Sequence, residues 1–165
     1  MVFWRNLGGA LLMFTVGLRS REWLKLESRA GIKWSALAGV ALAFHFIGFF
    51  ISMRYTTVAA GTALTALQPI FAAYFVKRLG GHIPKQAWLG MVISFAGVLI
   101  ITGVDFQISR RAFLGDLAAI VCAALAAIYV LLGSQAQRTI STATYTSVCY
   151  FVCAITALPL SLIHI

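Results

Sequence analysis

Six long apolar stretches, separated by short polar segments, make up most of the chain. They cover residues 1–18, 34–53, 56–76, 87–104, 114–133 and 142–163. A helix of about 20 apolar residues crosses the hydrocarbon core of a bilayer, so each stretch is long enough to span a membrane. The pattern predicts an all-α, polytopic transmembrane helix bundle with six spans and no separate soluble domain.

The composition supports this interpretation. Hydrophobic residues make up 61% of the 165 residues, charged residues make up 10%, and the mean hydropathy is +0.94. A small soluble domain could not bury so much apolar side chain, so the excess must face lipid. The first stretch is followed by RSREWLK without a small-residue cleavage site, which favours a helix over a secretory signal.

The net charge of +9 does not indicate nucleic-acid binding, because the basic residues lie between the stretches and not in one patch. Nine follow the first, third and fifth stretches: Arg19, Arg21, Lys25, Arg29, Lys33, Lys77, Arg78, Lys85 and Arg138. The other four are Arg5, Arg54, Arg110 and Arg111. The excess of positive charge predicts that the first group of loops is cytoplasmic. Both chain ends then lie outside, and we expect a further span before Met1.

One stretch contains a helix-breaking signal, in TALTALQPIFAAYF. Pro69 lacks an amide hydrogen and its ring clashes with the carbonyl of Thr65, so the helix should kink and leave that carbonyl free. In a bilayer the carbonyl needs a partner, such as a neighbouring helix, the Thr65 hydroxyl or water in a cavity. Gln68 adds an amide at the same depth. It either cross-links helices or lines a solute pathway.

Three other side chains are candidates for the pathway or for a helix cap. His45 is the ionisable side chain nearest the middle of a span, which is typical of a pathway or proton-coupling residue. Alternatively, its neutral imidazole donates to a backbone carbonyl and has no further role. Tyr129 is an aromatic residue with a polar tip that could face a cavity. Asp116 is predicted to cap the start of its helix.

Small residues at four-residue spacing predict close helix packing. Gly90 and Ser94 form one such pair, and Ala119, Ala123 and Ala127 recur in the same way. In lipid, helices associate through close backbone approach at small residues.

The sequence does not indicate catalysis. The acidic residues lie at or beyond the ends of spans, so paired carboxylates do not face each other: they are Glu22, Glu27, Asp105 and Asp116. The cysteines, Cys122, Cys149 and Cys153, lie in apolar stretches without clustered histidines, which favours inert buried thiols over a metal site or disulfide. We expect no catalytic residue, metal or cofactor.

The order of several short motifs resembles that of the EamA-type carriers of the drug/metabolite transporter superfamily. These motifs are Tyr55-Thr56-Thr57 with small residues after it, Pro69 within the helix, Leu79-Gly80 at its end, Trp88 and Gly90 before Gly97-Val98-Leu99-Ile100, and Gly115-Asp116 before an alanine-rich stretch. One position departs from the pattern. The family commonly has Leu-Gly-Glu where this chain has Leu79-Gly80-Gly81.

The resemblance implies ten helices in two inverted five-helix repeats. Residues 1–104 resemble the second to fifth helices of the first repeat, and residues 105–165 resemble the sixth and seventh helices, which open the second. We therefore expect a chain shortened at both ends. The final LSLIHI, residues 160–165, matches one translated frame of a transposase adaptor used for sequencing libraries, so we expect it to carry no function.

The function implied by the resemblance is secondary transport. We expect a multi-pass protein of the cell membrane, the inner membrane in a bacterium, that exports small organic metabolites, amino acids or drugs by alternating access. The expected partners are a small-molecule solute and the lipid bilayer, not nucleic acid, and a homodimer is left open. The alternative is a non-transporting membrane scaffold or subunit.

Overall fold

The computed structural model describes residues 2–18, 25, 28–102 and 109–163. Several charged residues used in the sequence predictions lie outside the described residues, namely Arg19, Arg21, Glu22, Glu27 and Asp105. So do the last two residues of the adaptor-like hexamer, His164 and Ile165.

The described chain is helical, which confirms the predicted all-α class. The helices are α1 (Val2–Gly17), α2 (Ser28–Tyr55), α3 (Val58–Thr65), α4 (Gln68–Arg78), α5 (Lys85–Thr102), α6 (Arg110–Ala136) and α7 (Thr142–Ile163). In the described part, four stretches are long and apolar enough to cross a membrane: Ser28–Tyr55, Val58–Arg78, Arg110–Ala136 and Thr142–Pro159. The protein is therefore polytopic by the length and composition of its helices.

The predicted kink is a two-residue break in the regular helix, at Ala66 and Leu67, whose backbone angles stay in the right-handed region. Helix α3 ends at Thr65 and α4 begins at Gln68, although Val58–Arg78 together have the length of one span. The amide of Leu67 donates to the carbonyl of Leu64 over 3.2 Å, as in a tight turn. Pro69 lies in the first turn of α4, where a missing amide hydrogen removes no helical hydrogen bond.

The chain divides into two compact units. The first contains Met1–Phe44 and Ile128–Ile165, and the second contains His45–Ala127. The boundary falls within α2 and within α6, so each of these helices contributes residues to both units.

In the first unit, α1 packs against α7. The Ser147 hydroxyl donates to the carbonyl of Ala10 over 3.3 Å. Small residues make the close contacts: a Cβ at Gly39 would lie 2.5 Å from the carbonyl oxygen of Cys149, and one at Gly133 would lie 2.5 Å from the Tyr145 hydroxyl. At Gly39 the helices α2 and α7 approach at their backbones, as expected in lipid, and at Gly133 the missing side chain leaves room for the Tyr145 ring.

In the second unit, the end of α2 lies against the start of α6. A Cβ at Gly115 would lie 2.7 Å from the amide nitrogen of Thr56. The Thr56 hydroxyl donates to a carboxylate oxygen of Asp116 over 2.6 Å. The Arg111 guanidinium lies over the ring of Tyr55, 5.4 Å from its centroid. Three kinds of contact therefore join the two helices within about two turns of α6.

The predicted capping role of Asp116 is wrong. Helix α6 begins at Arg110, six residues earlier, and the Ser109 hydroxyl accepts the amide hydrogen of Ala112. Asp116 lies in the second turn, and its carboxylate accepts from Thr56 instead.

The predicted packing role of Ala119, Ala123 and Ala127 agrees with their complete burial.

Candidate functional site

A groove borders the interruption between α3 and α4. Its volume is about 320 Å³, and it lies within the second unit. Its lining combines residues from both sides of the interruption with one face of α5: Ala63, Ala66, Pro69 and Ile70, then Ala87, Gly90, Met91, Ser94 and Phe95. The lining is mainly small and apolar, and the Ser94 hydroxyl adds a polar group.

Gly90 and Ser94 do not form the close seam that their spacing predicts. Both are exposed, and a Cβ added at Gly90 would meet no described atom within 4 Å. The small side chains on α3 and α5 therefore leave space between these helices, and that space is the groove.

Of the residues at the interruption, Pro69 lines the groove directly. Gln68 is the first residue of α4 and is half-buried. No hydrogen bond of its side chain is found to any residue that the structure describes. The amide therefore does not cross-link the described helices, whereas one of the two interpretations requires that it does.

The Thr65 hydroxyl donates within its own helix. Its partner is the carbonyl oxygen of Gly61, over 2.8 Å. A hydroxyl has one hydrogen to donate, so it does not serve the carbonyl of Thr65, the last residue of α3. The Thr65 side chain also interacts with the Cys122 thiol of α6.

The His45 imidazole contacts Cys122 at several atoms. Its Nδ1 lies 3.0 Å from the carbonyl oxygen of Cys122 and 3.0 Å from the Cys122 Sγ. The thiol in turn lies 3.2 Å from the carbonyl oxygen of His45. Thr65, Cys122 and His45 therefore form one network that joins α3, α6 and α2.

Cys122 is the residue of this network that the sequence did not identify. Its thiol is buried, as predicted, but it also forms a hydrogen bond with His45 and therefore takes part in a polar contact. The two residues are 77 positions apart, and no local motif in the sequence connects them.

Tyr129 lies in the first unit and is half-buried. Its side chain interacts with that of Tyr145, which comes from α7. The structure thus gives Tyr129 a partner within its own unit and brings His45 and Thr65 together in the second unit.

In the described part of the chain, no group of three or more His, Cys, Asp or Glu side chains is placed to hold a metal ion.

Comparison with known proteins agrees with this architecture. The EamA-like transporter family matches residues 1–103. An uncharacterized transporter from Archaeoglobus fulgidus is 31% identical over 144 residues, which are 86% of this chain and 46% of the relative. The chain thus spans about half the length of that relative. No solved structure matches the chain. The family match covers more than half of the chain and includes the membrane-length stretches Ser28–Tyr55 and Val58–Arg78, so this multi-pass membrane protein belongs to the EamA-like transporter family.

Proposed function

We propose that the protein works as a secondary transporter that exports small organic solutes, such as metabolites, amino acids or drugs, by alternating access. Its site of action would be the cell membrane, the inner membrane in a bacterium. One observation carries the proposal: the membrane-length stretch Val58–Arg78 is interrupted at Ala66 and Leu67, beside a groove.

An interrupted helix has a physical requirement in a bilayer. A continuous helix satisfies its own backbone hydrogen bonds, whereas an interrupted one leaves groups that need protein or water. Secondary transporters use such interruptions to build solute sites near the middle of the membrane. Pro69 lies in the first turn after the interruption and also lines the groove, so the break and the groove meet at this residue.

Gln68 supports a solute site over a scaffold. A glutamine that only holds helices together would bond across the helix interface, because interhelical polar bonds are worth about 1 kcal/mol. No such bond is found among the described residues, and the half-buried amide keeps two donors and one acceptor for another partner.

The size and lining of the groove fit a small molecule. Ligand pockets hold roughly 300–1,000 Å³ and combine apolar walls with a few polar groups. A groove of about 320 Å³ with one hydroxyl in its wall lies at the lower end of that range. The outward direction and the alternating-access mechanism are proposed from the family resemblance and the inverted repeats that it implies.

Solute accumulation by inside-out membrane vesicles tests the proposal. The vesicles come from cells that express the gene encoding this chain, and a panel of labelled metabolites, amino acids and drugs is screened. An exporter loads inside-out vesicles, whereas loading of right-side-out vesicles alone would overturn the direction.

Gln68→Leu tests the site, with Gln86→Leu as the matched control. Gln86 is exposed near the start of α5. We expect Gln68→Leu to abolish accumulation while expression and membrane insertion stay normal, and the control to transport like the wild type. Loss of the folded protein in Gln68→Leu would instead assign Gln68 a structural role. If the wild type accumulates nothing from the panel, the scaffold alternative is favoured.

A further inference from the structure

The last turn of α4 carries two exposed basic residues, Lys77 and Arg78, whose side chains are not used to close the helix. The backbone closes it instead. The Gly81 amide donates to the carbonyl of Val76 over 2.9 Å, and the next bond runs from the Gly80 amide to the carbonyl of Lys77 over 3.2 Å. Gly80 has a φ of 82°, which this type of helix end requires. The two cationic groups therefore remain available for another partner.

The Arg78 guanidinium is held in place by Tyr74, one turn earlier in α4. Its Nε donates to the Tyr74 hydroxyl over 3.0 Å, and its central carbon lies 5.3 Å from the ring centroid. Nε carries one of the five N–H groups of a guanidinium, so the two terminal NH₂ groups keep four donors. A planar group with this arrangement of donors binds phosphate oxygens in pairs. Tyr74 thus orients an anion-binding group.

Lys85 opens α5 on the other side of the short loop, and α4 and α5 contact each other. The start of a helix carries a partial positive charge, which acidic residues normally offset. The first turn of α5 contains no acidic residue, and the exposed Lys85 adds a further positive charge. An anion bound beside Lys85 would offset both positive charges.

This part of the chain has no carboxylate to neutralise its basic residues. Residues 28–104 contain no Asp or Glu. Asp116 is the one acidic residue that the structure describes, and it accepts from Thr56, near the start of the stretch Val58–Arg78. Lys77, Arg78 and Lys85 lie at or beyond the other end of that stretch, and no ion pair joins them to any described residue. We call these three residues the basic cluster.

The surroundings of the basic cluster are typical of the boundary between lipid and water. Leu79, directly after Arg78, is 75% exposed, and Leu89 in α5 is 62% exposed. Tyr74 and Trp88 lie within about one turn of the cluster, and aromatic side chains of this kind are enriched at the headgroup level. A phospholipid offers acyl chains to the leucines and a phosphate to the cations, whereas a free phosphate compound offers only the second.

We propose that the basic cluster binds the phosphate headgroup of an anionic phospholipid. Arg78 binds two phosphate oxygens, and the two lysines add positive charge beside it. The site is separate from the groove, whose lining contains none of the three residues. The lipid belongs to the leaflet that the charge distribution predicts to be cytoplasmic. Near an anionic membrane surface, each Lys or Arg raises the affinity about fivefold.

Lipid binding to the purified full-length protein in detergent tests the proposal. Native mass spectrometry measures the affinities for phosphatidylglycerol, which is anionic, and for phosphatidylcholine, which carries no net charge. The test variant combines Arg78→Gln with Lys85→Gln. The matched control combines Arg54→Gln with Arg110→Gln, which removes the same charge from the end of α2 and the start of α6.

We expect the wild type to prefer phosphatidylglycerol, the test variant to lose about 25-fold in affinity for it, and the control to stay within about threefold of the wild type. Equal affinities of the wild type for the two lipids, or equal losses in the two variants, would overturn the proposal. If the test variant does not fold, Lys85→Gln alone decides, because its side chain is exposed: we expect a loss of about fivefold, and an unchanged affinity would refute the site.

Soluble glycerol phosphate distinguishes a lipid site from a site for free phosphate compounds. Its phosphate has the same chemistry as the headgroup, but it has no acyl chains to contact the exposed leucines. We expect it not to displace phosphatidylglycerol when the two are present at equal concentration. Displacement under these conditions would assign the basic cluster to a soluble anion and overturn the lipid site.

Discussion

Replacing Gly115 with alanine would place a methyl group where α6 meets the end of α2. The added Cβ would lie 2.7 Å from the amide nitrogen of Thr56 and 2.9 Å from the carbonyl carbon of Tyr55. Both neighbours are backbone atoms, so no side chain can rotate away to make room. Ordinary Cβ contacts begin at 3.4 Å, and the two helices must therefore separate by about 0.7 Å.

The expected change in the free energy of unfolding has two unfavourable contributions and one favourable one. Overpacking at a rigid contact costs about 1–3 kcal/mol. Separation of the helices also stretches the 2.6 Å bond between Thr56 and Asp116, and a hydrogen bond to a charged group contributes about 1.5–3 kcal/mol when intact. Alanine in a helix returns up to about 1 kcal/mol relative to glycine. We expect a net loss of about 2 kcal/mol, because part of the bond survives a small displacement.

Thermal unfolding of the purified protein in detergent measures this loss. For a chain of 150–250 residues, 2 kcal/mol lowers the midpoint by roughly 4–8 °C. Gly97→Ala is the matched control, because its Cβ would meet no described atom within 4 Å. If Gly115→Ala unfolds at the same temperature as Gly97→Ala, the close approach of α2 and α6 is refuted.

The other predictions concern orientation, packing and the histidine network. Cysteine introduced at Gln86 should be protected from a membrane-impermeant thiol reagent in intact cells, whereas cysteine at Ser109 should react; the reverse labelling would contradict the predicted cytoplasmic side. Gly39→Ala should lower the unfolding midpoint as much as Gly115→Ala does, because its Cβ would lie 2.5 Å from a backbone carbonyl oxygen of α7, and an unchanged midpoint would contradict that packing. In Cys122→Ala, nitrogen-15 NMR should find hydrogen on Nδ1 of His45, because the backbone carbonyl oxygen 3.0 Å from this nitrogen is retained, and hydrogen on Nε2 instead would contradict that contact.

The features that the sequence predicted well are those that depend on local chemistry. The apolar stretches predicted the helices because length and hydropathy alone decide whether a segment can span a bilayer. A kink near Pro69 was predicted because a missing amide hydrogen and a bulky ring act within one turn. The burial of Ala119, Ala123 and Ala127 followed from helical spacing in the same way.

The contacts that were missed join residues far apart in the chain. Asp116 accepts from Thr56, 60 positions away, and a rule for helix starts cannot detect that partner. The bond between His45 and Cys122 joins residues 77 positions apart. Gly90 and Ser94 have the spacing of a packing seam, but only the position of α3 shows that they border a groove. The pathway roles of Gln68, Pro69, Thr65, His45 and Tyr129 stay predictions.

The interruption at Ala66 and Leu67 also determines where electric charge lies along the span. Aligned peptide groups give a helix about half a positive charge at its start and half a negative charge at its end. A continuous span keeps both at the membrane surfaces, whereas here the end of α3 and the start of α4 bring two opposite partial charges inside the stretch Val58–Arg78. These charges act strongly in a medium of low dielectric constant. Any change in the angle between α3 and α4 would therefore alter the electric field in the groove, although the residues that line the groove carry no charged side chain.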